Sequence, residues 1–274
     1  MLNLLQQQSN VAILMTACIN PNGMEQTTLQ DPKIRKAQYL EAIDYYLNET
    51  KYDIVFCENT GKDIYDEIRS PEKHIRLEYL TFCGNDYDKR KGKSYGEAVI
   101  IQYAIHNSKK LQNCEYIIKI TGRVKILNLN SLAVKLSKRR PFGQMVALEF
   151  SNKDWAKSVC FFSPKEWLLM TVRKYGVLLS DTGCNFEKMI SDSISETKGM
   201  KICQFHPIID GICAWSNTPY KNYNMSQRKL NHFDALSQIY KSRGSRLKYA
   251  FNKMRWLYHV IKRKMYVLIE SACI

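Results

Sequence analysis

The residues best equipped for chemistry fall in two stretches. The first is Arg90-Lys91-Gly92-Lys93-Ser94-Tyr95-Gly96-Glu97, which places glycines and cations at the start of an apolar helical pattern. Backbone N–H groups at a helix start carry positive partial charge, glycine lets a phosphate approach the backbone, and Lys91 or Lys93 adds a cation. That set, with Gly96 for close approach, suits a diphosphate; a solvated turn of the same composition is the alternative. It is not a Walker A loop, because G-x-x-x-x-G-K-[ST] is absent.

The second stretch is the C-terminal end. Lys241 to Lys264 holds nine Lys or Arg and no Asp or Glu, and from Lys221 onward there are twelve basic and two acidic residues, in a chain of net charge +15. Leu247, Ala250, Phe251, Met254, Leu257, Ile261, Met265 and Leu268 recur at helical spacing. Arg246, Lys253, Arg255, Lys262, Arg263 and Lys264 are interleaved with them, and Trp256 suits a headgroup interface. Such a helix can bury its apolar side at the acyl boundary and set its cations among anionic headgroups, each contributing roughly 1 kcal/mol. The plainer reading packs the apolar stripe on the domain. No zinc finger or aromatic RNP-type strand accompanies the charge, so no nucleic-acid partner is expected.

The elements that must position these groups alternate. Val11–Cys18, Tyr52–Cys57, Leu77–Phe82 and Glu115–Ile120 read as strands, with helices over Pro32–Leu47 and Tyr95–Asn107. Strands separated by helices imply an α/β fold with a mainly parallel sheet flanked by helices, and a ligand site at the carboxyl ends of the strands. Polar residues follow each strand: Thr16, then Glu58 and Asn59, then the glycine and lysine segment, then Thr121-Gly122-Arg123. Further on, Met145–Phe150 and Ser158–Phe162 look like paired strands, Lys165–Tyr175 and Phe186–Glu196 like helices, and Met200–Phe205 like a strand. A domain is expected over 1–217, with a helical basic extension over 218–274.

Nine scattered cysteines without a C-x-x-C pair point to a reducing compartment rather than to a disulfide framework. Val11–Ile19 is too short for a membrane span, and nothing in the N-terminal region reads as a signal peptide.

Glu58-Asn59-Thr60-Gly61, Gly92-Lys93-Ser94-Tyr95-Gly96-Glu97 and Lys119-Ile-Thr-Gly-Arg123, in that order, resemble bacterial GT-A-type glycosyltransferases of surface-polysaccharide (lipopolysaccharide or capsule) assembly whose fourth strand ends in K-x-T-G-R. The resemblance covers about Val11 to Tyr220. It implies a nucleotide-sugar donor held at the strand ends and a saccharide acceptor opposite. The common GT-A pattern has Asp-x-Asp after the fourth strand to hold Mn or Mg; here Lys119, Thr121 and Arg123 stand there, so the resemblance leaves metal dependence open, and a fixed cation could offset the departing diphosphate. Asp86-Tyr87-Asp88 comes one loop too early and reads as a solvated loop.

The resemblance further implies an acidic residue on the acceptor side near Glu187, which opens a helix after Gly183-Cys184-Asn185. Glu187 is the expected proton acceptor, with Asp181, Asp192 and Asp210 as rivals. Asp210 is expected to shape a loop near the acceptor, Glu58 to meet the base or ribose, and His206 to contact a phosphate or metal. The resulting expectation is a glycosyltransferase that extends a lipid-linked saccharide from the cytoplasmic face of an anionic membrane. A sugar nucleotidyltransferase and a non-catalytic basic adaptor binding membrane or RNA are the alternatives.

Overall fold

The computed structural model describes residues 10–139 and 141–272, with side chains of the last helix described through 263. Strand β1 (Val11–Ala17) is buried along its whole length, as its unbroken apolar run requires of a strand covered on both faces. Strands β2 (Asp53–Glu58), β3 (Leu77–Thr81) and β4 (Tyr116–Thr121) run parallel to it. Strand β7 (Cys160–Pro164) pairs antiparallel with β4 and with β6 (Met145–Leu148), and β8 (Lys201–Gln204) closes the edge beside β6. The seven strands lie in the order β3-β2-β1-β4-β7-β6-β8, and β5 (Lys125–Ile126) with β9 (Ile209–Asp210) forms a small second sheet. The chain thus adopts the expected α/β architecture, mostly parallel, with β7 as the one reversed strand of the large sheet.

Alternation along β1 divides the core. Ile13 and Met15 pack with Tyr39, Ile43 and Tyr46 of α1 (Pro32–Glu49). Ala12 and Leu14 face the other layer, where Ile101 and Ala104 of α3 (Gly92–Asn107), Leu168 of α6 (Lys165–Tyr175) and Ile190 of α7 (Phe186–Glu196) meet them. Short helices α2 (Lys73–Arg76), α4 (Lys109–Gln112) and α5 (Leu129–Ser137) complete the connections. At the sheet's carboxyl edge Gly122 is required. Its N–H donates to Thr16 O at 2.9 Å, and a Cβ there would lie 2.8 Å from that same oxygen.

The basic extension divides physically in two. Helix α8 (Met225–Ser242) sends Ala235 and Ile239 into the second core layer, and its buried Arg228 pairs at 3.0 Å with the buried Glu149 beyond β6. Helix α9 (Arg246–Ala272) rests on α8. Asn252 is buried there, His259 stacks on Phe233 with ring centroids 5.5 Å apart, and Arg263 reaches Gln227. The opposite side of α9 exposes Leu247, Phe251, Met254, Tyr258 and Ile261. At 100° per residue these form one stripe, with Leu257 and Arg246 along one flank and Lys248, Arg255 and Lys262 along the other, while Lys253 turns toward α8, 3.9 Å from Asp234. The stripe predicted from sequence therefore faces outward. Trp256, expected to suit a headgroup interface, is instead half-buried, with the Lys253 ammonium 3.8 Å from its ring centroid. The side chains of Lys264, Met265 and Leu268 lie outside the described residues.

Candidate functional site

The carboxyl ends of β1, β2 and β4 converge where the strand order reverses around β1, the position at which open α/β sheets leave a crevice. Thr16, Cys18, Asn59, Thr121 and Arg123 line a cavity of about 220 Å³ there, closed on the helical side by Lys93, Gly96, Glu97 and Glu187. It continues into a wider groove of about 620 Å³ that shares Lys93, Ser158, Glu187 and Cys213.

Two side chains of the cavity wall carry unused hydrogen-bonding capacity. Asn59 is fully buried, and its backbone is fixed by Asn59 N donating to Ala17 O at 3.2 Å and Gly84 N donating to Asn59 O at 2.9 Å, yet neither atom of its amide has a partner. Arg123 donates from Nη1 to Gln38 Oε1 at 2.8 Å and to Ile212 O at 3.3 Å, while its buried Nε has none. Buried polar atoms left unpaired cost about 1–3 kcal/mol each, so a polar ligand that entered this cavity and met them would recover that cost.

Lys119 is placed differently from its sequence expectation. It is fully buried beneath the cavity, ion-paired with Glu97 and donating to Ser158 O at 2.7 Å and Thr121 Oγ1 at 3.3 Å. Thr16 Oγ1 also donates to Glu97, at 3.1 Å. Lys119 does not line the cavity, whereas Glu97, which the sequence reading passed over, does. The available signal was a lysine in the middle of a buried strand, which demands an acidic partner.

The glycine and lysine segment is likewise occupied by the protein itself. Asp181 accepts from Lys93 N at 2.9 Å and Ser94 N at 3.0 Å, and from Ser94 Oγ, so a carboxylate from a distant loop caps α3 where a phosphate was expected. Gly92, at φ +68°, makes room for that carboxylate, since a Cβ would lie 2.3 Å from Asp181 Oδ2. Gly96 similarly admits the Tyr87 hydroxyl. Lys91 sits 4.3 Å from the Tyr95 ring centroid and away from the cavity, while the Lys93 side chain lines it with no partner for its ammonium among the described residues.

Glu58 is fully buried with its carboxylate engaged. It accepts from Ile19 N at 3.0 Å, Thr60 N at 2.8 Å, Lys62 N at 3.0 Å and Thr81 Oγ1 at 3.1 Å, which shapes the loop after β2 and leaves little for a ligand. Asp210 is exposed and pairs with Lys125 at 3.0 Å in a separate small recess. His206 lies under α8, away from the cavity, both ring nitrogens unpartnered. Burial and the charges of Arg228, Lys135, Lys157 and Lys229 push its pKa down to about 4, so it is a neutral imidazole at pH 7.

Glu187 occupies the first turn of α7, which Asn185 caps by accepting from Lys188 N at 2.9 Å. Its Oε1 accepts from Ser158 Oγ at 2.6 Å. The carboxylate lines both cavity and groove with its second oxygen unengaged. Beside it lies Cys213, whose thiol is shifted down. Burial works to raise it, but hydrogen bonds from the Ser216 and Trp215 N–H groups and the Lys93 charge outweigh burial. Cys18, deeper in the same cavity, is pushed up to about 11, chiefly by burial.

A divalent metal does not fit this donor set. Among the described residues no three His, Cys, Asp or Glu side chains converge. Asp88 is turned onto Arg90 at 2.6 Å, the β4 end presents cations, and Glu97 is held by Lys119.

No protein-family model matches the sequence, and no curated protein matches it. Among solved structures the chain is similar to a cytidylyltransferase from Leptospira borgpetersenii serovar Hardjo-bovis, at 14% identity over 72% of this chain and 75% of that one with a TM-score of 0.41. It is also similar to 4-diphosphocytidyl-2C-methyl-D-erythritol synthase from Anaerococcus prevotii, at 8% identity over 81% and 97% with a TM-score of 0.40. What the site can do is read from its own geometry.

Proposed function

We propose that the chain is a glycosyltransferase that moves a sugar from a nucleotide-sugar donor to a saccharide acceptor carried on lipid. The observation that carries this reading is the pairing, across one cavity, of unsatisfied donors at Asn59 and Arg123 with a half-free carboxylate at Glu187. The Asn59 amide can read a nucleobase edge or ribose, and the Arg123 guanidinium can meet the charge of a diphosphate. Glu187 takes the proton of the acceptor hydroxyl as the hydroxyl oxygen bonds the anomeric carbon, and the bond from that carbon to the oxygen of the nucleoside diphosphate breaks, releasing the diphosphate. Lys93, with its ammonium unpaired, adds to the field felt by the leaving group.

Helix α9 supplies the membrane contact in this reading. An outward apolar stripe flanked by cations on both sides matches an anionic bilayer surface, and no described helix is long and apolar enough to cross a membrane. The eight cysteines among the described residues are free thiols, which suits the inner, reducing face.

Thermal unfolding with UDP, GDP, dTDP or CMP and with the triphosphates UTP, GTP, dTTP and CTP, each with and without manganese, tests the donor site. One nucleoside diphosphate at about a hundred times its Kd should add about 2.7 kcal/mol, or roughly 5 °C in Tm, without needing the metal. Stabilisation by a nucleoside triphosphate and by no diphosphate would instead favour a sugar nucleotidyltransferase, and no shift with any would leave the adaptor reading. Vesicle flotation tests α9. A chain ending at Gly244 should keep the nucleotide response and lose binding to vesicles containing phosphatidylglycerol; retention on those vesicles would remove the membrane role.

A further inference from the structure

The chain has four tryptophans, and they divide by exposure. Trp167 is 8% exposed in the core and Trp256 is half-buried, whereas Trp155 and Trp215 expose 44% and 60% of their surface. Single exposed hydrophobics need no explanation, but here both exposed indoles line the same groove, together with Tyr220 and Tyr223.

Each indole stands on a hydrogen-bonded turn. Trp155 lies in the hairpin between β6 and β7, where Asn152 Oδ1 accepts from Trp155 N at 3.1 Å and Ser151 N donates to Trp155 O at 2.9 Å. Trp215 lies in a turn closed by Cys213 N donating to Thr218 O at 2.9 Å, with Asn217 at φ +52°. Thr28 ties that turn to the loop after β1, through Thr28 N to Ala214 O at 2.8 Å and Thr28 Oγ1 to Trp215 O at 2.5 Å. The backbone that carries each indole is therefore fixed before any ligand arrives, which lowers the ordering cost of binding.

We propose that this groove is a saccharide subsite in which a pyranose ring stacks on the exposed indoles and presents a hydroxyl to Glu187. The proposal rests on the transferase reading above and gives its acceptor a chemistry and a location. A pyranose has a C–H face that packs on the electron-rich face of an aromatic ring, and a rim of hydroxyls that must find donors and acceptors. The groove offers both, with Lys93, Glu187 and Lys221 beside the aromatic walls. An acyl chain would need an unbroken apolar wall, which these charged groups interrupt, so a lipid carrier is met elsewhere, on the α9 stripe. Continuity with the nucleotide cavity through Lys93, Ser158 and Glu187 places a sugar in this groove next to the carboxylate that would deprotonate it.

A microbial glycan array probed with the labelled full chain tests the subsite, alongside thermal unfolding with the nucleotide that stabilises the wild type. The wild type should retain one class of glycan. Trp155→Ala should weaken that binding at least tenfold with Tm and nucleotide response unchanged, because Trp155 lines the groove and not the nucleotide cavity; Trp215→Ala, at the junction of the two, should weaken glycan binding by as much, whatever it does to the nucleotide response. Glycan binding lost in these variants while nucleotides never stabilise the wild type would uphold the subsite and sink the donor reading. Failure of the wild type to bind any glycan, or binding indifferent to both substitutions, overturns the subsite and leaves the donor reading to stand on its own response.

Discussion

The start of α3 and the floor of the cavity are neighbours with opposite chemistry. At Gly92–Ser94 a glycine, a helix N-terminus and nearby lysines make an anion site on paper, and the fold fills it with Asp181. At Asn59 and Arg123, an amide and a guanidinium nitrogen are buried without partners. The same contrast appears within two consecutive residues, since Glu58 is saturated by the loop it organises and Asn59 beside it is left open. Residue type says what a group could bind. Only its partners in the fold say whether it is still available.

The sharpest way to break the comparison is at the carboxylate. Glu187→Gln keeps the hydrogen bond from Ser158 in prospect but removes the proton acceptor, so turnover should fall by roughly 10²–10⁴-fold. Nucleotide stabilisation should persist. If turnover is unchanged, the proton is taken elsewhere, and Glu97 becomes the next group to substitute.

A smaller, opposed pair of effects separates the filled site from the open one. Asp181→Ala strips the cap from α3 and should cost about 1–2 kcal/mol of stability, seen as a lower urea midpoint, with nucleotide affinity little changed. Asn59→Ala removes a buried amide that has no partner in the free protein, so its stability cost should be the smaller of the two. Its nucleotide affinity should nevertheless fall about five- to tenfold, or about 1–1.4 kcal/mol, by calorimetry. The reverse pattern, with Asp181→Ala abolishing nucleotide binding and Asn59→Ala silent, would return the diphosphate to the helix start.

These assignments mark what was legible in the sequence. Apolar runs of strand length separated by helical periodicity gave the order β1-α1-β2 and the crossover into β4, because both depend on local spacing. The pairing of β6 with β7 was visible for the same reason. That Glu187 would stand in a helix's first turn was legible from the turn residues Gly183 to Asn185 before it. Asp181 as a cap for α3 was not, since it meets Lys93 and Ser94 across 88 and 87 residues, and no local pattern encodes such a contact. Lys119 was misplaced for a related reason. Its strand position was right, but a buried lysine is defined by the partner it meets, and Glu97 arrives from another element. The outward direction of the α9 stripe could not be read from the helix alone either, because polar Asn252 and His259 turned out to face α8.

Cys213 gives the finest reading of the cavity's field. Cys57 and Cys160 are shifted well up by burial, while Cys213, though partly buried itself, is shifted down because N–H groups of its own turn and the Lys93 charge favour the thiolate. A lower thiol pKa raises the thiolate fraction at neutral pH, and the thiolate is the reacting form. Iodoacetamide at pH 7.5 should therefore label Cys213 ahead of those two, as read by peptide mass spectrometry. Lys93→Gln should slow that labelling by roughly twofold, because the Lys93 charge is one of the influences that favour the thiolate. A stabilising nucleotide should slow it as well, since any phosphate beside Lys93 offsets the charge that holds the thiolate. Labelling that ignores both Lys93→Gln and the nucleotide would mean that this end of the cavity is electrostatically independent of the donor, and the lysine would then belong to the groove alone.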